Sequence, residues 1–180
     1  MSSIPRFYLA DATFAHDKYY IKDTDALRHA RKVLRLEKGS IVELFDGKGR
    51  VLSGSIELLT KEMLIVEVQS ERFEEIEKGV KVTLAQALPK AGKIDNILRM
   101  NTEIGVSEFV IFESDHSIVK IEHFHETKLA RLRKIVQEAA RQSHNNYVPE
   151  IYGPVDFSAV LAKPADYKVL LHVNDSGSNS

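Results

Sequence analysis

The chain has 180 residues, 43% hydrophobic and 28% charged, with a formal net charge of -1, which excludes wholesale disorder and collagen-like repeats. Its length allows one large domain or two small ones, and no apolar run approaches the roughly 20 residues of a membrane span. With no secretory leader and no cysteine, the expectation is a cytoplasmic protein without membrane partners, disulfides, thiolate zinc or a cysteine nucleophile.

In chain order, residues 6–9, 41–45, 50–54 and 63–68 are short β-rich runs. Asp46-Gly47 is a hairpin signal between two of them, and residues 60–62 a weaker one. One helix interrupts the runs, with N-cap candidates at residues 23–25 and a stop at Lys38-Gly39. Short strands with close turns and a single helix predict a small barrel. The acidic cluster Glu71, Glu74, Glu75 and Glu77 then marks a change of character. The expected organisation is a barrel over residues 1–72, a linker over 73–79 and a second domain over 80–180; the plain alternative is an acidic exposed loop inside one domain.

Beyond the linker, residues 80–88 read as a strand covered on both faces. A helix from about Ile94 to Ile104 follows, closed by Gly105. Next come a strand at 109–112, a long helix from about Glu126 to Ser143, a short helical piece at 157–161 and a last strand at 167–173. Alternating strands and helices predict an open parallel α/β sheet. The tail at 175–180 reads as disordered.

Two helices carry candidate chemistry. In the first, Leu27, Ala30 and Leu34 have core spacing, while Arg28, Arg31, Lys32 and Arg35 have the spacing of a basic stripe. Four neighbouring like charges repel, so a polyanion would relieve a standing cost; the plain alternative is a solvated face. Lys48 and Arg50, beside the Asp46-Gly47 turn, extend the patch. In the long helix, Leu129, Leu132, Val136 and Ala139 face the core, and Arg131, Lys134, Glu138 and Arg141 share the other side. Glu138 and Gln142, one turn apart, are pocket candidates or else surface hydrogen-bond partners. Lys90-Ala-Gly-Lys93 leaves the carboxyl end of a strand and opens a helix, an arrangement that attracts anions. No nucleotide-binding glycine loop is present, and no metal-ligand spacing appears among the seven histidines.

From Arg6 to Val173 the sequence resembles the 16S ribosomal RNA uridine-N3 methyltransferase family. The matching motifs are Arg6-Phe-Tyr, His29-Ala-Arg-Lys-Val-Leu-Arg-Leu36 with Gly39, and Leu44-Phe-Asp-Gly-Lys-Gly49. They continue with Ala85-Gln-Ala-Leu-Pro-Lys90 and Lys93, Thr102-Glu-Ile-Gly-Val106, and Glu138-Ala-Ala-Arg-Gln-Ser143 with Val148-Pro-Glu-Ile151. The resemblance implies a small PUA-like β-barrel followed by a parallel α/β sheet of the knotted SPOUT type, here incomplete. It implies S-adenosylmethionine as methyl donor and 16S rRNA or the small ribosomal subunit as partner, with a homodimer in a full-length chain. Arg6, Arg28, Arg31, Lys32, Arg35, Lys48, Arg50, Lys90 and Lys93 are the expected RNA contacts. Leu171 and His172 are expected at the cofactor rim, and Glu103, Glu138 and Gln142 at a pocket; no catalytic base is named.

Two departures stand out. The family's usual basic residue is replaced at Met100, His116 and Asn145. Its Gly-Pro-Glu-Gly-Gly loop and Leu-Arg-x-Glu-Thr-Ala segment, which form the knot, are not found in these 180 residues, so the cofactor site is expected to be largely missing. A different class of reading, an RNA-binding fragment or diverged homologue without catalysis, stays open.

Overall fold

The computed structural model describes residues 4–9, 12–74, 80–89, 92–114 and 124–171. Its first part is a mixed six-stranded sheet, curled into a half-barrel, in the order β1-β4-β5-β6-β3-β2. The strands are β1 (Arg6–Tyr8), β2 (Ala12–Ala15), β3 (Lys18–Ile21), β4 (Ile41–Phe45), β5 (Arg50–Leu59) and β6 (Leu64–Phe73). β1 lies parallel to β4, and the other pairings are antiparallel. The curl closes on one apolar cluster, with Phe7, Ile21, Val42, Leu44, Leu52, Ile56, Leu64 and Val66 inside. Leu27 and Ala30 of the barrel helix complete it, as their spacing predicts. A buried leucine of this kind contributes roughly 1.5–3 kcal/mol over an exposed one.

The β2–β3 hairpin carries little local signal in the sequence. Its two-residue turn is His16-Asp17, both at positive φ (50° and 59°), between the paired residues Ala15 and Lys18. A turn of this kind usually advertises itself with Asn-Gly or Asp-Gly. Here neither residue is glycine, so the signal is weak.

The second part is a parallel three-stranded sheet, β7-β8-β9, made of Thr83–Ala87, Glu108–Glu113 and Glu150–Asp156. Helices α2 (Lys93–Glu103) and α3 (Glu126–Gln142) pack together over one face. They bury Leu98, Leu129, Leu132 and Val136 against Phe109, Ile111 and Ile151. Arg131 on α3 grips Asp95 on α2 through two hydrogen bonds, at 2.7 and 2.8 Å. The short α4 (Phe157–Ala162) lies over the other face, where Phe157 meets Phe112 at 5.3 Å.

Three expectations change here. The apolar run 80–88 forms a strand only at Thr83–Ala87, and that strand is half-buried, with Val80 and Val82 exposed. β9 was not expected, because Gly153-Pro154 interrupts its pattern and proline weakens a strand reading. The strand predicted at 167–173 is not formed at 167–171: Tyr167, Val169, Leu170 and Leu171 are all exposed and have no ladder partner among the described residues. His172 and Val173 lie outside the described residues. Among the described residues, no helix is long and apolar enough to cross a membrane.

Candidate functional site

The barrel helix begins in the ordinary way. Asp23 caps it by accepting the Ala26 amide at 2.7 Å, and α1 runs from Thr24 to Arg28. From His29 to Val33 the backbone then widens into a π-helical turn, with the Leu34 amide reaching back to the His29 carbonyl at 3.0 Å. Arg35 follows at φ 52°, already outside the helix. The expected α-helical spacing of the basic stripe therefore breaks. Arg28 and Lys32 turn to one side, while Arg31 and Arg35 are exposed elsewhere. Wide turns of this type are common at functional sites.

Arg28 and Lys32 form one wall of a groove of about 560 Å³, and α3 forms the other with Lys134, Gln137, Glu138 and Arg141. Phe7 and Ile21 lie at its base. Its three acids are already engaged. Asp23 caps α1, Asp25 pairs with Arg28 at 3.2 Å, and Glu138 accepts Arg141 Nε at 2.8 Å and Gln142 Nε2 at 3.0 Å. Partial desolvation disfavours the Glu138 carboxylate, but the bonds from Arg141 and Gln142 outweigh it and hold this carboxyl below its ordinary range. Lys32 and Lys134, from opposite walls, have no ion pair among the described residues. The helical period places Lys134 on the outer face of the long helix and says nothing of a site. Only the packing of α3 beside β1 brings it opposite Lys32.

His29 sits in the same groove. Burial, helped by the nearby Arg141 cation, lowers its pKa below the ordinary 6.5, with Glu138 pulling the other way. The unfolded chain therefore binds this proton first, and the stability due to neutral His29 is present above about pH 6.5 and lost as pH falls. Thermal melts from pH 8 to 5 should show the parent losing more stability below pH 6.5 than a His29→Gln variant. Parallel curves would show that His29 titrates alike in both states.

Beneath the groove, the two sheets are joined. Arg6 is only 2% exposed, so the structure puts inside the protein a residue that the sequence reading grouped with the surface cations. Its guanidinium lies 4.5 Å over the Phe45 ring, pairs with Glu43 at 3.3 Å and donates to Asn146. Burial lowers the Arg6 pKa, against the raising influence of Glu43. Arg72 binds the other Glu43 oxygen at 2.8 Å, and Asn146 donates onward to Glu74. The backbone joins as well: the Gly49 amide donates to the Asn146 carbonyl at 3.1 Å, and the Val148 amide to the Gly47 carbonyl at 3.0 Å. Arg141 reaches the Arg6 carbonyl at 3.4 Å.

The other singled-out residues are scattered. Lys48 is exposed on the β4–β5 turn. Arg50 is tied to Glu71 at 2.6 and 3.2 Å, and this bond raises its pKa. Lys93 opens α2 and Glu103 closes it, both exposed and away from the groove. Gln142 touches the site only through Glu138. Leu171 is 89% exposed and does not line the groove. Met100 is exposed on α2, and the Asn145 side chain accepts the Tyr147 amide at 3.0 Å in the turn after α3. Lys90, His116 and His172 lie outside the described residues.

Comparison with known proteins bears on this geometry. A family model described as RNA methyltransferase domain matches residues 76–180, and one described as RNA methyltransferase PUA domain matches residues 21–69. Ribosomal RNA small subunit methyltransferase E of Synechocystis is 32% identical over 148 residues, covering 82% of this chain and 47% of the relative. Its namesake from Buchnera aphidicola is 28% identical over 155 residues, covering 85% and 60%. The crystal structure of Ribosomal RNA small subunit methyltransferase E from Neisseria gonorrhoeae, bound to S-adenosyl methionine, superimposes with a TM-score of 0.78 at 27% identity. That match covers 91% of this chain and 67% of the other. The chain spans about half to three fifths of the length of these two curated relatives. With more than half of its residues matched by one model, the chain belongs to the RNA methyltransferase family, with an RNA methyltransferase PUA domain ahead of the methyltransferase domain.

Proposed function

We infer that this chain holds ribosomal RNA for an enzyme that methylates the small-subunit RNA with S-adenosylmethionine as donor, at N3 of a uridine in 16S rRNA. The observation that carries the reading is the groove between α1 and α3, where Lys32 and Lys134 approach from the two parts of the molecule with no counter-ion among the described residues. Phosphate contacts of this kind provide affinity and register without reading sequence. Arg28, Arg31, Arg35 and Lys48 add exposed positive charge along the barrel side. N3 lies on the Watson–Crick edge of uracil, so the target base must be unpaired or flipped out before it reacts.

Leu171 is exposed, and the groove and the hollow beside Tyr152 are lined by other residues. These residues bind and orient the RNA. Small-subunit RNA as partner, and a homodimer in the whole protein, belong to the same proposal.

The test is a double charge reversal, Lys32→Glu with Lys134→Glu, in a salt titration of RNA binding. Affinity should fall roughly tenfold or more at 0.1 M salt, and the slope of log K against log salt should become shallower by about 0.9 for each lost phosphate contact. Unchanged affinity and slope would make the groove a merely solvated surface.

A further inference from the structure

We propose that a second hollow, adjoining the groove across Tyr8 and Gln137, receives an unpaired nucleobase of the same RNA strand. The proposal rests on the RNA-binding reading above and adds a site to it. The hollow has a volume of about 510 Å³ and is walled by the β4–β5 turn, α3 and the start of β9. Tyr8 and Gln137 line both spaces, so the hollow adjoins the groove.

Its chemistry differs from that of the groove. Arg133 is paired with Glu126 at 2.9 Å, and Asp46 and Glu150 share the lining with Lys48, so the interior of the hollow is less cationic than the groove. Both acids are occupied: Asp46 accepts the Lys48 and Arg50 amides at 2.7 and 3.0 Å, and Glu150 accepts the Tyr152 hydroxyl. The remaining walls are flat or apolar. Tyr152 is 46% exposed with the Lys163 ammonium 5.4 Å over its ring, Val148 and Pro149 lie beside it, and Tyr8 is steadied by Phe45 at 5.3 Å. Gln137 brings an amide with no hydrogen bond among the described residues, able both to donate to and to accept from a base edge. Aromatic faces beside a cationic track are how single-stranded nucleic acid is held. Lys48, exposed and without an ion pair among the described residues, is placed to hold the phosphate attached to that base.

The experiment titrates the 180-residue protein with fluorescent oligouridylates of increasing length, using Tyr152→Ala, Tyr152→Phe and Lys48→Ala variants. Tyr152→Ala should weaken the longer oligomer roughly tenfold with an unchanged salt slope, while Tyr152→Phe, which keeps the ring, should bind as the parent does. Lys48→Ala should make the slope shallower by about one phosphate. An oligomer with one abasic position should reproduce the Tyr152→Ala loss on the unaltered protein, and 5-iodouridine should photocrosslink to the Tyr152 peptide. Equal binding by the parent and Tyr152→Ala at every length, with no crosslink, overturns the proposal. If Lys32→Glu with Lys134→Glu abolishes binding in that case, the RNA reading stands and only the base site falls. If no oligomer binds the parent protein, both fall.

Discussion

Replacing Arg6 by alanine should destabilise the protein by about 3 kcal/mol in urea unfolding at pH 7. Loss of one partner from a buried ion pair typically costs about 3–5 kcal/mol. Here Glu43 keeps its bond to Arg72 at 2.8 Å, which moderates the loss. Against that, the substitution removes the guanidinium over Phe45 and the bond to Asn146. Arg6→Met separates charge from packing. Arg6 Nε and Nη1 are buried without hydrogen-bond partners, so part of the cost of burying this cation is never repaid. Methionine fills most of the volume without that cost, and should lose no more than about half as much as alanine. Equal losses for both variants would mean that the cation itself, rather than the packed stem, holds the site together.

Gly49→Ala should cost at least about 3 kcal/mol, whereas Gly39→Ala should cost only about 1–2 kcal/mol. Both glycines have positive φ, at 102° and 86°, so both substitutions carry the strain of a left-handed conformation. A Cβ at Gly39 would meet nothing within 4 Å. At Gly49 it would overlap the Tyr147 hydroxyl and stand 2.5 Å from the Glu74 carbonyl oxygen. The difference between the two variants therefore isolates the docking of the β4–β5 turn onto the loop after α3. Differential scanning calorimetry on both variants measures it. Matching transition temperatures would show that the turn is not tightly docked.

How much was legible in the sequence follows from which interactions are local. The core faces of the barrel helix and of α3 were readable, because Leu27, Ala30, Leu129, Leu132, Val136 and Ala139 repeat at the helical period and are all buried. The β4–β5 hairpin was readable from Asp46-Gly47, whose aspartate accepts two amides of its own turn. The basic stripe was only half readable. A π-helical turn changes the number of residues per turn, and no local residue pattern announces it, so Arg31 and Arg35 part from Arg28 and Lys32. Least readable was everything between the two sheets. Arg6 and Asn146 are 140 positions apart, and an arginine near a chain start reads as surface until its partners are known.

The order in which the chain leaves the ribosome gives that long separation a further meaning. The apolar cluster of the half-barrel draws only on residues up to Val68, so its members are all made well before Asn146. A chain made from its N-terminus can assemble such a unit early, as domains commonly do. Glu43, itself paired with Arg72, is available to Arg6 early, but the acceptor on Asn146 is not. The nascent half-barrel thus waits with one side of Arg6 unmet and with the Gly47 carbonyl and Gly49 amide open on its turn. Those backbone groups then act as a template on which the later segment takes its course, and completing the second part of the protein also finishes the first.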